Sequence, residues 1–503
     1  MVTNNRKAEE ACIKSRVYVL YTGGTFGMHK DKGQPGAPLA PMSFSQLKAH
    51  LPPASLFVEQ TEVTLDVLPG DARMDSSSMT PSDWVTIARQ IEKNYADYDA
   101  FIVIHGTDTL AYTASALSFM FENLAKPVIV TGSQLPLLEA RTDAKLNYGH
   151  ALQIAAWRAC DLPLIPEVII VFGDRVLRGC RARKISARAW AGFDTPNCPI
   201  LGEIGEHTRI FETQILPSPA PGQDFALHAD LAGEVVDVNL YPGLRAVDLE
   251  RMLASDDIRG AVLRTYGIGN APEDPELLAV LRRATQDEGK VIVNITQCPH
   301  GMVEMGRYAS SVGLVDAGVI SGFDMTPEAA LTKMMVTMGQ HTGADVGRKM
   351  QINQRGEQSQ NRFELVFQGS GDLSEFTAEM TRCGVPLDTR FCAKDLSSAV
   401  LRLDGLRAQN AGQGGTIDVC LVHPEFSKSD DQDYPNPERL LCLSLDQQAE
   451  TILTEGVQII ENLAKDPLRA LGSAKEVTLA LIPSEGVRYQ FKRLSLSLFT
   501  QAR

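Results

Sequence analysis

The chain has 503 residues and a formal net charge of −14 at pH 7, with 44% hydrophobic and 22% charged residues. This length is too great for one ordinary hydrophobic core, so we expect two or three domains. The acidic balance argues against a general binder of nucleic acids or of anionic membranes, and it favours a small-molecule partner.

The cysteines and the N-terminus indicate the compartment. Nine cysteines are scattered singly, without a CxxC pair and without a Cys and His spacing that binds zinc. An odd, dispersed set is typical of reduced thiols in a cytosolic protein, and we predict neither a metal site nor a cofactor. Residues 1–14 lack the apolar core of a signal peptide, and no apolar run in the sequence is long enough to cross a bilayer. We therefore expect a cytoplasmic protein without a membrane partner.

The first predicted domain, residues 16–212, alternates apolar runs with amphipathic stretches. Its predicted strands are Val17–Tyr21, Phe101–Ile104, Pro127–Val130 and Val168–Phe172. Its predicted helices are Ser82–Tyr95, Thr109–Asn123 and Ala144–Ala159. This order of elements predicts a mostly parallel sheet that is covered by helices.

A proline- and glycine-rich stretch around Leu216–Gly222 predicts a linker over residues 213–234. A second, smaller α/β domain is predicted over residues 235–352. Its predicted strands are Val235–Leu240, Gly260–Thr265 and Val291–Ile295, and its predicted helices are Pro275–Asp287 and Glu328–Gly339.

The polar stretch Gln354–Asn361 is suited to a second linker, and it precedes a predicted α+β domain over residues 362–503. The predicted strands there are Phe363–Phe367, Thr416–Val422, Leu440–Leu445, Val477–Ile482 and Tyr489–Leu498. The predicted helices are Leu396–Gln409 and Gln448–Lys465. No catalytic constellation or phosphate loop stands out in this domain, so its role stays unassigned.

Two short polar motifs, Thr22–Thr25 and His105–Thr109, each follow a predicted buried strand of the first domain, and Thr131–Gln134 follows a third. Ligands of open α/β sheets bind beyond the carboxyl ends of the strands, so we expect one shared site. A threonine hydroxyl acts as a nucleophile only where a base removes its proton and donors stabilise the oxyanion. Gly-Gly could also form only a tight strand exit, and Thr109 could cap the following helix.

These motifs resemble the signature segments of the type I, cytoplasmic-type L-asparaginases. The segments that carry the resemblance are Tyr21–Met28, Met74–Pro81, His105–Thr109, Thr131–Gln134, Tyr266–Asn270 and Thr296–Cys298. The resemblance runs from about residue 16 to 347 in the right order and leaves the last domain uncovered. It implies a flavodoxin- or Rossmann-like parallel sheet in the first domain, followed by a smaller α/β domain.

The resemblance also implies the catalytic residues. Thr25 would attack the side-chain amide of asparagine and form an ester, which water then hydrolyses to release aspartate. Thr107, Asp108 and Lys184 would form a second group of hydroxyl, carboxylate and ammonium, in which a shielded lysine can accept a proton. Taken alone, Arg178–Lys184 looks like a solvated basic run.

Asp75, Ser76 and Ser77, with Gly24, would hold the charged end of the amino acid according to the same resemblance. The sequence around Asp75 also suits a helix entry with Thr80 or Ser82 as the cap, so both interpretations stay open. Asn270 would reach the substrate of a neighbouring subunit, or it only shapes its turn.

Cys298 and Arg264 match a segment that lines a regulatory asparagine site in some type I relatives. Relatives with that site tend to have a small hydroxyl residue where this chain has Arg183, which argues against regulation by asparagine. A lone cysteine after a strand is usually only packed.

The segment Phe26–Pro41 has the glycines and prolines of a closing lid, but it contains no tyrosine. Relatives carry a tyrosine there, and Gln34 stands near its position. His29 and Lys30 are the basic candidates in this segment, and we expect both to face solvent.

The leading hypothesis is an amidohydrolase that converts L-asparagine to L-aspartate and ammonia and assembles as a homodimer or homotetramer. A catalytically weak asparagine-binding or regulatory protein is an alternative. Further alternatives are the ammonia-supplying subunit of a tRNA-dependent amidotransferase and an enzyme acting on larger amides or esters, although the acidic balance offers no obvious RNA surface.

Overall fold

The structure is a computed structural model. It describes residues 15–30, 39–69, 75–368, 374–376, 381–386, 393–408, 416–422, 438–444, 457–463, 468, 476–483, 489–491 and 493–502. The chain divides into two compact units. The first unit holds the described residues up to Met350 together with Gln354–Gln358, and the second holds Gln351–Asn353 and the described residues from Ser359 onward.

The first part of the first unit is built on a mostly parallel sheet. Its strands are β1 (Ser15–Tyr21), β2 (Met28–His29), β3 (Ala40–Pro41), β4 (Thr61–Val67), β5 (Ala100–Ile104), β6 (Phe121–Glu122), β7 (Val128–Thr131), β8 (Val168–Phe172), β9 (Arg175–Arg178), β10 (Arg183–Lys184), β11 (Phe193–Asp194), β12 (Gly202–Ile204), β13 (Thr208–Ile210) and β14 (Ala226–Leu227). Its helices are α1 (Phe44–His50), α2 (Pro81–Asn94), α3 (Leu110–Met120) and α4 (Ala144–Ala155).

Eight of these strands form one sheet in the order β13-β12-β9-β8-β7-β5-β1-β4. The strands β4, β1, β5, β7 and β8 run parallel, and the remaining three continue the sheet in antiparallel fashion. The strands β5, β7 and β8 are buried along their whole length, as expected of parallel strands with helices on both faces. The predicted parallel sheet and its four strands are confirmed.

The three predicted helices of this part are present with shifted ends, and α4 ends at Ala155 rather than Ala159. The other two shifts have identifiable reasons. The helix α2 begins after Thr80, whose backbone N–H donates to the carboxylate of Asp83 over 2.7 Å, so Thr80 rather than Ser82 is the N-cap. The helix α3 ends at Met120 rather than Asn123, because Phe121 and Glu122 leave it to pair with β14.

The second part of the first unit is a smaller parallel sheet in the order β15-β16-β17-β18. Its strands are β15 (Val235–Asn239), β16 (Gly260–Thr265), β17 (Val291–Thr296) and β18 (Ile320–Ser321). Its helices are α5 (Ala246–Leu253), α6 (Pro275–Arg282), α7 (Ala309–Asp316), α8 (Pro327–Gln340) and α9 (Ala344–Met350). The predicted strands and the predicted helices α6 and α8 are confirmed, while α5, α7 and α9 were not predicted.

The segment Gln354–Gln358, called the strap below, contradicts the linker predicted at this place. Glu357 is completely buried and Gln358 is 1% exposed. The polar side chains find partners inside the first unit, above all Lys333 of α8, which lies 2.5 Å from the Glu357 carboxylate. The polar composition therefore marks a buried hydrogen-bonded segment rather than a solvated one.

The described part of the second unit contains two antiparallel sheets. Its strands are β19 (Gln360–Gln368), β20 (Ser374–Phe376), β21 (Thr381–Pro386), β22 (Leu396–Ala408), β23 (Thr416–Val422), β24 (Glu438–Ser444), β25 (Val457–Asn462), β26 (Glu476–Pro483), β27 (Tyr489–Phe491) and β28 (Arg493–Gln501). One sheet has the order β19-β28-β22-β27-β20, with β25 paired to β22, and the other has the order β21-β26-β23-β24. The predicted strands of this domain are confirmed.

The helices predicted in this domain are wrong where the structure describes them. Residues Leu396–Ala408 form a strand in which Ala399, Leu401 and Leu403 are buried at every second position, which is the period of a strand. Val457–Asn462 is likewise a strand, and residues 448–456 lie outside the described residues. In the described parts of the chain, every helix is too short or too polar to span a membrane.

Candidate active site

The three polar turns lie side by side at the carboxyl edge of the large sheet. The backbone N–H of Thr22 donates to Ile104 O over 3.0 Å, which ties the end of β1 to the end of β5. The backbone N–H of His105 donates to Thr131 O over 2.7 Å, which ties β5 to β7. The sequence prediction of one shared edge is therefore confirmed.

Gly24 and Gly106 bring the first two turns into backbone contact. A Cβ built on Gly24 would lie 2.3 Å from Gly106 Cα, and Gly24 has a φ of +81°, so only glycine fits here without strain. Thr25 follows at the start of a single 3₁₀ turn, Thr25–Gly27, and its side chain is half-buried. The contact places the Thr25 turn against the turn that carries Thr107.

Lys184 joins the second turn to a distant part of the chain. Its Nζ donates to Thr107 Oγ1 over 2.9 Å and to Asp108 Oδ1 over 2.6 Å. The lysine side chain is 20% exposed and that of Asp108 is 63% exposed, so the ion pair opens to solvent on the side of the carboxylate. The predicted group of hydroxyl, carboxylate and ammonium is brought together.

Ser76 approaches the same point from the segment before α2. A Cβ on Gly106 would lie 2.5 Å from Ser76 Oγ, and the Ser76 carbonyl accepts a hydrogen bond from Thr109 Oγ1 over 2.7 Å. Thr109 stands at the N-cap position of α3 but uses its hydroxyl for this contact and not for capping. Ser76 is buried beside Gly106, and Ser77 is exposed.

The Asp75 carboxylate has a local structural role. Its Oδ1 accepts a hydrogen bond from Ser77 N over 3.0 Å at the start of the 3₁₀ turn Ser76–Ser78. The side chain is exposed, so its other oxygen has room for a further donor. Turn capping and ligand binding are therefore compatible in this residue.

His105 belongs to the site and was not singled out from the sequence. It is fully buried, with Nδ1 2.6 Å from Gly106 O and Nε2 2.8 Å from Thr113 Oγ1. Burial lowers the pKa of His105 to about 4, so the imidazole is neutral at pH 7. It donates from Nδ1 and accepts at Nε2, which fixes the backbone of the turn just before Thr107.

The basic run before Lys184 is buried, contrary to the interpretation of it as a solvated face. Arg178 pairs with Glu167 over 2.6 Å, and Arg181 pairs with Asp324 over 2.8 Å. Arg183 lies 3.3 Å from the buried Glu328 at the start of α8. All three arginines thus form ion pairs within the first unit.

Asn270, Arg264 and Cys298 lie on the smaller sheet in contacts of their own. Asn270 closes a tight turn by exchanging two backbone hydrogen bonds with Tyr266. Arg264 forms an ion pair with Asp237, and Cys298 is exposed. Their predicted roles in substrate binding and regulation stay predictions.

The segment that was predicted as a lid is described only at its two ends. His29 is half-buried at the end of β2, and Lys30 is exposed, 3.9 Å from the Glu139 carboxylate. Gln34 lies outside the described residues. The prediction that Gln34 replaces a lid tyrosine therefore stays a prediction.

Two family models match the chain one after the other. The model described as "Asparaginase, N-terminal" matches residues 16–216, and the one described as "Glutaminase/Asparaginase C-terminal domain" matches residues 234–350. Residues after 350 are not covered by either of these matches.

The chain is also similar to individual asparaginases and to a related protein of another name. The chain is 44% identical to L-asparaginase 1 of Escherichia coli strain K12 over 345 residues, which are 68% of this chain and 98% of that protein. It is 39% identical to the 60 kDa lysophospholipase of Mus musculus over 343 residues, which are 65% of this chain and 59% of that protein. The crystal structure of L-asparaginase I from Vibrio cholerae matches with a TM-score of 0.60 and 39% identity, covering 69% of this chain and 99% of that one.

Proposed function

This chain belongs to the asparaginase family, and we propose that it hydrolyses L-asparagine to L-aspartate and ammonia through a covalent ester on Thr25. The observation that carries the proposal is the position of the Lys184 Nζ, 2.9 Å from Thr107 Oγ1 and 2.6 Å from Asp108 Oδ1, beside the turn that holds Thr25. A reactive hydroxyl needs a nearby group that moves its proton, and this trio supplies a hydroxyl, a carboxylate and an amine.

In the first half of the reaction, the Thr25 oxygen attacks the amide carbon of the asparagine side chain. A C–O bond forms, the C–N bond breaks, and the nitrogen leaves as ammonia after taking up the proton lost by the hydroxyl. The product is an ester between Thr25 and the side-chain carboxyl of aspartate.

In the second half, a water molecule attacks the ester carbon and gives up a proton to the Thr107 oxygen, while the Thr107 hydroxyl passes its own proton to the amine of Lys184. The Thr25 oxygen leaves and takes a proton back, which restores the hydroxyl and frees aspartate. The proton that Lys184 received returns through Thr107 to the Thr25 oxygen, so the amine and both hydroxyls are restored at the end of the cycle.

The charged end of the substrate is assigned to Asp75, Ser76 and Asp108. The carboxylates of Asp75 and Asp108 are exposed and can bind an α-ammonium group, and the Ser76 hydroxyl can donate to an α-carboxylate. Ser77 and the backbone of Gly24 complete the proposed pocket.

The test is ammonia release by the purified full-length protein with L-asparagine, measured for the wild type, Thr25→Ala and Thr25→Ser. We expect turnover in the wild type, a loss of roughly a hundredfold or more in Thr25→Ala, and partial activity in Thr25→Ser. Binding of asparagine without ammonia release would instead identify a regulatory asparagine-binding protein. Release that depends on an added partner complex would identify an ammonia-supplying subunit.

The same variants decide between amides and esters. Wild-type protein that hydrolyses a larger ester but leaves asparagine intact would overturn the proposed substrate while keeping the nucleophile. We also expect the protein to assemble as a homodimer or homotetramer, which light scattering of the purified chain measures directly.

A further inference from the structure

We propose that the strap, Gln354–Gln358, is a positioning element for Lys184, acting through the short turn Gly179–Arg181. This inference rests on the role of Lys184 in the proposed function. The strap lies beyond the last residue matched by the family models, yet it is part of the same compact unit. Residues outside the region matched by the family models would therefore help to position the catalytic lysine.

The strand that carries Lys184 is weakly held by its own sheet. It consists of two residues, Arg183 and Lys184, which pair with Phe193 and Asp194 of β11. A ladder of this length fixes a side chain poorly by itself, so the position of the lysine depends on the residues that flank it.

The flanking turn is tied directly to the strap. Arg181, which is 4% exposed, donates from Nε to Gly356 O over 2.7 Å while its Nη1 pairs with Asp324 over 2.8 Å. The thiol of Cys180 lies 3.3 Å from Arg355 O. Only two residues separate Arg181 from Lys184, so a displacement of this turn is passed on to the lysine.

The strap is in turn anchored at several points in the first unit. Glu357 pairs with Lys333 of α8 and accepts hydrogen bonds from the backbone N–H groups of Gln354 and Arg355. The Arg355 Nε donates to Ser118 O and Phe121 O, each over 3.1 Å, at the C-terminal end of α3. A cation at this end of a helix is favoured by the helix dipole as well.

A side chain added at Gly356 would displace the strap. Its φ is +80°, and an added Cβ would lie 2.8–2.9 Å from three atoms of the Arg178 guanidinium group. That guanidinium is fixed by Glu167 and by Gln214 O, so it cannot easily move away. In Gly356→Ala the strap must therefore shift, and Gly356 O moves relative to Arg181.

The experiment compares Gly356→Ala with Gly222→Ala in the full-length protein. Gly222 has a similar φ of +86° and nothing within 4 Å of an added Cβ, so the control places a side chain at a similar positive φ without the collision. We expect kcat for asparagine to fall about tenfold or more in Gly356→Ala, with KM within about twofold, because misplaced catalytic groups lower the rate of the chemical step. Hydrogen exchange of residues 179–186 should be faster than in the control.

A second variant covers the case in which Gly356→Ala does not fold. Arg181→Lys keeps the charge facing Asp324 and removes the Nε donor to Gly356 O, and it should show the same fall in kcat and the same faster exchange. The proposal is overturned if Gly356→Ala folds and its kcat equals that of Gly222→Ala. If Gly356→Ala does not fold, the same result for a folded Arg181→Lys overturns it.

A Lys184→Met variant distinguishes a failure of the proposed role of Lys184 from a failure of the proposed role of the strap. If Lys184→Met keeps normal turnover, the proposed function of the lysine fails, and the strap proposal fails with it. If Lys184→Met loses turnover while Gly356→Ala and Arg181→Lys keep it, only the strap proposal is wrong.

Discussion

Lys184 Nζ lies 2.9 Å from Thr107 Oγ1, although the two residues are 77 positions apart in the chain. The two side chains come from separate elements, one from the turn after β5 and the other from the short strand β10. A contact of this kind between a hydroxyl and an amine is suited to proton transfer, and it gives the first prediction.

Replacing Thr107 with alanine should lower kcat by roughly a hundredfold or more, because the hydroxyl that connects Lys184 to the reacting atoms is lost. Thr107→Ser keeps the hydroxyl and is the matched control, from which we expect most of the activity. Steady-state ammonia release measures both variants. Equal turnover in Thr107→Ala and Thr107→Ser would show that the hydroxyl has no catalytic role.

Gly24→Ala should distort the site and destabilise the first unit. The new Cβ would lie 2.3 Å from Gly106 Cα at a φ of +81°. Gly24 combines this φ with a ψ of −178°, a region that essentially only glycine adopts, and strain there costs about 1–3 kcal/mol before the collision with backbone atoms is added. Gly306→Ala, with a φ of +82° and open space around it, serves as a control for placing a side chain at a positive φ without a collision. Thermal unfolding should show a clearly lower midpoint for Gly24→Ala than for Gly306→Ala.

The buried His105 should make stability depend on pH. Burial lowers its pKa from 6.5 to about 4, so between these values the unfolded chain binds a proton that the folded chain does not. Stability contributed by this residue is present above pH 6.5 and is lost as the pH falls towards 4, reaching a loss of about 2 kcal/mol at pH 5.

The difference in thermal midpoint between pH 7 and pH 5 measures this effect. In His105→Asn the difference should be smaller than in the wild type, because the titrating group is gone. The exposed His207 provides the control variant His207→Asn, which should behave like the wild type. An unchanged pH dependence in His105→Asn would mean that other groups control acid destabilisation.

Gln34→Tyr tests whether the lid segment limits catalysis. The resemblance to type I asparaginases places a tyrosine near this position, so restoring the phenol should raise kcat for asparagine. Gln34→Phe adds the ring without the hydroxyl and serves as the control. If both variants match the wild type in ammonia release, the missing tyrosine does not limit this protein.

Most strands of the first unit could be predicted, because the sequence pattern of each strand and of the turn after it lies within a few consecutive residues. The runs Val17–Tyr21 and Phe101–Ile104 are apolar at every position and end in glycine-rich turns, a pattern that indicates buried parallel strands. The order of these strands then places Thr25 and Thr107 at one edge. The group formed by Thr107, Asp108 and Lys184 followed from the resemblance, since Lys184 looks like part of a solvated run when taken alone.

What could not be predicted depends on contacts between distant residues. The burial of His105 and of the arginines before Lys184 is set by partners such as Thr113, Glu167 and Asp324, which no local pattern reveals. The leucines of Leu396–Ala408 stand at mixed spacing that fits both periods, so the sequence predicts a helix there, and the pairing with β28 makes the segment a strand.

The buried pair Lys333–Glu357 implies that a stable fragment of the first unit must extend at least to Glu357. Burial by itself raises the pKa of Glu357, but the Lys333 charge and the hydrogen bonds to its carboxylate hold that pKa below its ordinary value, so the pair is ionised. A chain cut after Met350, where the family match ends, removes the carboxylate that pairs with Lys333, and breaking a buried ion pair by removing one partner costs about 3–5 kcal/mol. A chain cut after Gln358 keeps the pair.

We therefore expect the 1–358 fragment to unfold at a clearly higher temperature than the 1–350 fragment. Adding Lys333→Met to the 1–350 fragment should recover part of the difference, because it removes the buried charge, whereas the same substitution in the 1–358 fragment should be destabilising by leaving Glu357 unpaired. Thermal unfolding of the four proteins, which are the two fragments with and without Lys333→Met, gives a thermodynamic cycle that isolates the contribution of the Lys333–Glu357 pair. Equal midpoints for the two unsubstituted fragments would mean that the strap contributes nothing to the stability of the first unit.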